Sequence, residues 1–248
     1  MIRTRIPVIT EMRATIKERF MKNKTYILSL GGSLIVPGKI DAVFLRKFKG
    51  FIEKEIKKGK RFIIVAGGGA TARAYRDAGA SVVKKMPVDD LDWLGIHSTR
   101  LNAHLLRTIF RDTAHPEIIT NPKIKKNIKE PLLIGAGYRP GASTDLIAVR
   151  MAATYGAHTI INLSNIDYVY DRDPKKSGAN KIENISWKNF RKIVGNKWDP
   201  GLHAPFDPVA SKFADEHGLE VIVLNGKNLS NVGNALEGKR FRGTTIKN

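Results

Sequence analysis

The sequence predicts an α/β fold, a three-layer αβα sandwich around a central, mainly parallel sheet, and three observations predict it. Short apolar runs such as "RFIIVA" and "EVIVLN" show no polar alternation, as befits strands buried on both faces. Helix-length amphipathic segments separate them, so each strand is followed by a crossover able to cover the sheet. Several runs also end on glycines or small polar residues, the chemistry expected where the carboxyl ends of parallel strands collect ligands.

Taken in order, residues 1–24 are basic and lack a clear apolar period until "EMRATIKERFM"; they read as an arm or short helix outside the main fold. Residues 25–248 read as one continuous domain whose N-terminal and C-terminal halves form lobes, because no repeat or low-complexity linker divides them. The strand "YILSL" precedes the helix "DAVFLRKFKGFIEKEIKKG", and "RFIIVA" precedes "ATARAYRDAGA". A long helix follows from Asp90 to about Arg111, with Leu94, Leu101, Leu105 and Ile109 at helical spacing as a core or subunit stripe. The strands "EIIT" and "PLLIGA" lead to the helix "STDLIAVRMAATYGA", with Ser143 or Thr144 as N-cap and Asp145 in the first turn. The remaining elements are the strand "HTIINL", a loop, the helices "SWKNFRKIVG" and "DPVASKFADEHG", the strand "EVIVLN" and the helix "LSNVGNALEG".

Composition excludes several function classes. With 248 residues, 42% of them hydrophobic, the chain can bury a substantial core. The absence of cysteine excludes disulfides, thiolate zinc sites and cysteine nucleophiles, and points to a reducing, cytoplasmic setting. No apolar stretch is long enough to span a bilayer and no secretory leader is visible, so a soluble protein is expected, with no membrane partner. A formal net charge of +20 calls for a polyanionic partner. The basic residues are spread among acidic ones and no nucleic-acid-binding pattern accompanies them, so the expected partner is a small phosphorylated ligand, not nucleic acid. His97 and His104 lie seven apart, but no carboxylate and histidine set completes a metal site around them.

Four strand ends carry glycine or polar clusters: "GGS" at 31–33, "GGGATAR" at 67–73, "GAGYRPGASTD" at 135–145 and "SNIDYVYDRDP" at 164–174. Each alone is an ordinary turn signal. Four in one sheet point to phosphates, since a missing Cβ lets backbone N–H groups approach a polyphosphate and a following helix adds its positive end. Neither the P-loop nor the spaced dinucleotide fingerprint is present, because Gly67, Gly68 and Gly69 are consecutive and no Gly-Lys-Ser/Thr ending occurs in these loops. In the last cluster Asn165, Asp167, Tyr170 and Asp173 offer amides, carboxylates and a ring to a base and ribose.

The ordered motifs "LSLGGSLI", "VAGGGATARAY", "LDWLGIHSTRLNAHLL", "PGASTDLIAVRMAA", "NLSNIDYVYDRDPKK", "FDPVASKFA" and "GTTI" resemble the amino acid kinase superfamily, and within it the archaeal-type uridylate (UMP) kinases. The resemblance covers about residues 26–246. It implies an amino acid kinase-like fold with the acceptor on the N-terminal lobe and ATP on the C-terminal lobe. Gly32, Ser33, Gly69, Arg73, Ser164, Asn165, Tyr170 and Asp173 would then contact ATP. Gly68, Asp92, Tyr138, Arg139, Pro140, Gly141, Ala142, Ser143 and Thr144 would contact UMP. Asp145 would be the carboxylate orienting the groups around the transferred phosphoryl, with Arg73 and Ser33 beside it as catalytic residues and no protein-held metal. Mg²⁺ would accompany ATP, and the assembly would be a hexamer built as a trimer of dimers.

The chain departs from the pattern at Tyr168, where a glycine is usual, and at Ser29, where many superfamily members carry lysine. The reaction so implied is ATP plus UMP giving ADP plus UDP, by positioning and charge neutralisation. Two alternatives stay open: another kinase of the superfamily, such as an isopentenyl phosphate or acylamino acid kinase, or a nucleotide-binding protein without turnover.

Overall fold

The computed structural model describes residues 24–173, 176–195, 197 and 204–248. The expected N-terminal arm lies outside the described residues except for Lys24. In chain order the strands are β1 (Thr25–Leu30), β2 (Arg61–Ala66), β3 (Leu132–Gly135), β4 (Thr159–Ser164), β5 (Val169–Tyr170), β6 (Lys181–Ile182), β7 (Asn184–Ile185), β8 (Glu220–Asn225) and β9 (Thr244–Ile246). The helices are α1 (Gly32–Ile35), α2 (Ala42–Lys57), α3 (Gly69–Val82), α4 (Val88–Ile109), α5 (Thr144–Tyr155), α6 (Trp187–Val194), α7 (Pro208–Glu216) and α8 (Leu229–Leu236).

Seven strands form one sheet in the order β3-β2-β1-β4-β8-β9-β7. Every pairing in it is parallel except β8 with β9. The apolar runs are buried because helices cover both faces. On one face Leu28, Leu30, Phe62 and Ile64 pack with Phe44, Phe48 and Ile52 of α2, Ala103, Leu106 and Phe110 beside α4, and Val232 of α8. On the other, Ile27, Ile63, Val65 and Val221 meet Ile147 and Met151 of α5, Trp187 and Phe190 of α6 and Ala210 of α7. The three-layer αβα sandwich is therefore built as expected.

Chain order reverses at β1. The chain steps to β2 and β3 on one side, then crosses to β4 and β8 on the other. A crevice must open between the loops after β1 and β4, where such sheets bind ligands.

Local differences from expectation have local causes. The expected strand "EIIT" forms only one isolated bridge, Ile119 with Gly135, beside β3; a second bridge, Ala114 with Leu132, lies just before it. On α4 the buried face is Ile96, Ala103 and Leu106, while Leu101 is exposed and Leu94, Leu105 and Ile109 sit at the margin.

Candidate active site

The site starts from two interlocked glycine loops. A Cβ on Gly32 would lie 2.0 Å from the Gly69 nitrogen, and Gly69 itself adopts φ of +66° with its would-be Cβ 2.3 Å from the Gly32 oxygen. The loop after β1 and the loop after β2 thus touch backbone to backbone, a contact no side chain survives. Backbone bonds lock the contact: Val36 N–H donates to Gly32 O, and Ala70 N–H donates to Val36 O, each at 2.8 Å. No side chain caps the N-terminus of α3, which begins at Gly69.

Helix α4 holds the glycine loops from behind. Asn102 Nδ2 donates to Gly67 O at 2.8 Å and to Gly68 O at 3.1 Å. Thr99 Oγ1 accepts the Gly137 N–H at 2.8 Å, and Arg100 donates to Gly137 O and Tyr138 O at 3.2 and 2.9 Å. Asp92 Oδ2 accepts the Gly141 N–H at 2.8 Å. Burial raises the Asp92 carboxyl above its usual range, Asp89 adds to this, and the Gly141 N–H and the Arg76 charge oppose it.

Asp145 sits at the centre. Ser143 caps α5 by accepting the Leu146 N–H at 3.1 Å, which places Asp145 in the first turn. The Asp145 Oδ1 accepts the Ser29 hydroxyl at 2.9 Å and its Oδ2 accepts the Asp207 N–H at 3.2 Å. Part of the residue faces the crevice, yet its carboxyl lies deep. Lost hydration and the neighbouring Asp207 charge push it up to about 6, against the Ser29 and Asp207 hydrogen bonds.

Asp207 caps α7, its Oδ1 accepting the Ala210 N–H at 2.6 Å. Its Oδ2 is buried and receives no hydrogen bond of normal geometry. Burial raises this carboxyl as well; the Ala210 N–H opposes that most, then the Ser143 hydroxyl and the Val209 N–H.

Two cavities meet here. The smaller, about 290 Å³, is lined by Gly67, Gly68, Arg76, Leu91, Asp92, Ile96, Thr99, Gly137, Ala142, Ser143 and Asp207. The larger, about 570 Å³, is lined by Ser29, Gly31, Ser33, Pro37, Asn162, Ser164, Asn165 and Lys227. Gly32, Gly69, Arg73, Thr144, Asp145 and Ala204 line both. Arg73 reaches across the loops, donating to Pro37 O at 3.4 Å.

The structure brings together most of the residues singled out in the sequence, though not all. Arg139 is exposed and stacks over the Tyr138 ring at 5.5 Å, and neither it nor Tyr138, Pro140 or Gly141 lines the smaller cavity. Tyr170 and Asp173 lie at the β5–β6 hairpin, outside the larger cavity's lining. Tyr168, at the unusual position, is buried under the Lys181 ammonium, 4.9 Å from its ring centre. Sequence reasoning missed Ser29 as a partner of Asp145, and with it Asp207, Asn162, Asn102, Thr99, Arg76 and Lys227. A signal existed for two of them: Ser29 and Asn162 are polar residues inside apolar strands, and they stand opposite each other in register.

Comparison with known proteins bears on the family and the fold. Residues 24–225 match the model of the amino acid kinase family. The chain is 30% identical over 226 residues to the uridylate kinase of Pyrococcus abyssi, covering 89% of this chain and 98% of the relative. It is 32% identical over 228 residues to that of Methanospirillum hungatei, covering 90% and 94%. Among solved structures it superposes on the uridylate kinase from Archaeoglobus fulgidus with a TM-score of 0.73 at 27% identity, covering 89% of this chain and 99% of the other. With the interlocked glycine loops, the central carboxylate and these likenesses taken together, the chain belongs to the amino acid kinase family.

Proposed function

We propose that the protein is a uridylate kinase, transferring the γ-phosphoryl of ATP to UMP to give ADP and UDP. The observation that carries this reading is the junction of the two cavities at Gly32, Gly69, Arg73, Thr144 and Asp145. In-line transfer needs a donor and an acceptor held end to end, with charge neutralised between them. The smaller cavity receives UMP, whose phosphate faces Arg73 at the junction and whose nucleoside lies toward Asp92 and Ile96. The larger receives ATP, with Ser33, Ser164 and Asn165 along it.

The attacking phosphate oxygen is already ionised, so no side-chain base is required. Backbone N–H groups at the two glycine loops and the Arg73 guanidinium face the equatorial oxygens. Asp145 acts by holding the Ser29 hydroxyl and the Asp207 N–H in place at the junction.

Among the described residues no group of three or more His, Asp or Glu could hold a metal ion. Asp207, whose buried Oδ2 has no hydrogen-bond partner among the described residues, and Asp145 are the carboxylates that would hold a Mg²⁺ accompanying ATP. Such an ion would supply positive charge to the polyphosphate.

A cytoplasmic setting agrees with the absence of cysteine, and a hexamer built as a trimer of dimers agrees with the exposed Trp93 and Leu101 on α4. Residues 25–248 act as one catalytic domain.

The test is coupled ADP production with UMP, CMP, isopentenyl phosphate and acetylglutamate as acceptors. UMP is expected to support turnover best. No ADP above the ATP-only background with UMP would refute the reading.

A further inference from the structure

We propose that Lys227 is a donor-binding residue whose ammonium contacts the polyphosphate of the nucleoside triphosphate, supplying a cation that Ser29 cannot. The inference rests on the larger cavity being the ATP site. Phosphoryl donors bring concentrated negative charge, and a buried strand position that ends in a hydroxyl leaves that charge unanswered from β1. Of the cationic side chains at the site, Arg73 lines both cavities and Arg76 the smaller one; Lys227 lines the larger alone.

Its backbone is fixed from three directions. Asn225, the last residue of β8, pairs in register with Ser164 at the end of β4, so the chain leaves the sheet beside the crevice. Gly226 N–H donates to Ser164 O at 2.9 Å, and a Cβ on Gly226 would lie 2.4 Å from Leu34 Cδ1. The loop therefore packs directly on the α1 turn that carries Ser33. Asn225 Oδ1 accepts the Lys227 N–H at 3.1 Å while its Nδ2 donates to Asp167 Oδ1 at 3.0 Å.

The side chain, in contrast, is exposed and makes no ion pair among the described residues. Four other lysines of the same lobe are matched, Lys181 with Glu183, Lys212 with Glu216, Lys239 with Glu237 and Lys247 with Glu220, and none of the four lines the larger cavity. An exposed ammonium with no ion pair among the described residues, on a clamped backbone beside a cavity lined by hydroxyls and amides, is suited to a phosphate chain.

The test compares full-length wild type, Lys227→Met and Lys227→Arg by direct titration with ATP, ADP and AMP, and by kinetics with UMP saturating. The Met variant is expected to lose about tenfold in ATP and ADP affinity while holding AMP within about twofold, and the Arg variant to recover most of the loss. KM for UMP and the melting temperature of the free protein should stay at wild-type values, because the side chain makes no ion pair among the described residues. ATP affinity in the Met variant equal to wild type overturns the proposal alone. AMP affinity falling as far as ATP affinity also overturns it, by placing the lysine on the nucleoside. Wild-type protein that binds no ATP overturns the donor-site reading, and this proposal with it.

Discussion

Ser29 stands in the middle of an otherwise apolar strand, and its hydroxyl is answered by Asp145 at 2.9 Å. Burial and the neighbouring Asp207 charge raise the Asp145 carboxyl to about 6, and the Ser29 hydroxyl offsets only part of that rise. Between the ordinary value of 3.8 and about 6 the folded state keeps a proton that the unfolded chain has released, so stability falls as pH rises through that window and is level above it. Asp145→Asn is expected to remove this fall and to raise the melting temperature at pH 7.5, by at most about 3 kcal/mol of stability. The same variant should lose about 100-fold or more in kcat, since an amide with one acceptor oxygen cannot hold both the Ser29 hydroxyl and the Asp207 N–H at the junction. Wild-type kcat should also climb with pH through about 6 as Asp145 ionises. A thermal melt series and a pH–rate profile check these outcomes. Asp145 itself was legible in the sequence from its place after "PGAST"; its partners were not, because Ser29 and Asp207 come 116 and 62 residues away from it and meet it only through the sheet.

At the scale of elements, α4 does more than cover the sheet. Its length and apolar spacing were legible, but the sequence pattern pointed to Leu94, Leu101 and Leu105, while the face turned inward carries Asp92, Thr99 and Asn102. Polar residues on the buried face of a long helix are costly unless partnered. Each has a glycine-loop backbone group as its partner. Asn102→Ala would leave Gly67 O and Gly68 O without that donor and should cost about 2 kcal/mol of stability. It should also raise KM for both substrates, because the same loop borders both cavities. Gly69→Ala forces an alanine to φ of +66° against the Gly32 backbone; a loss of more than about 2 kcal/mol and near-complete loss of turnover are expected, by chemical denaturation and by the coupled assay. The strands that escaped sequence reading, β5, β6, β7 and β9, are two or three residues long and carry too little period to stand out. The "EIIT" segment misled for the opposite reason: its apolar run is real, but it meets β3 at a single bridge, and pairing to a neighbour is not carried by a one-dimensional pattern.

For the whole molecule, the order of strands decides where chemistry happens. With strand order reversing at the central β1, glycine or polar loops from β1, β2 and β4 converge on one edge, and the helix that follows β3 adds Asp145. Alternation of strands and helices made the layers legible; the reversal itself was not, because parallel neighbours share no local signature. The net charge of +20 now has a reading as a field that draws anionic nucleotides to cavities bordered by Arg73, Arg76 and Lys227. Both KM values should therefore rise about threefold or more between 0.05 and about 0.3 M salt, in steady-state kinetics. The most direct test of the two-cavity account is UDP formation from ATP and UMP, followed by ³¹P NMR for wild type, Asp145→Asn and Arg73→Ala. Wild type is expected to convert UMP to UDP with matching ADP, and both variants, folded by thermal melt, to do so at least about 100-fold more slowly. Undiminished UDP formation by both variants, or ADP from wild type without UDP, would contradict it.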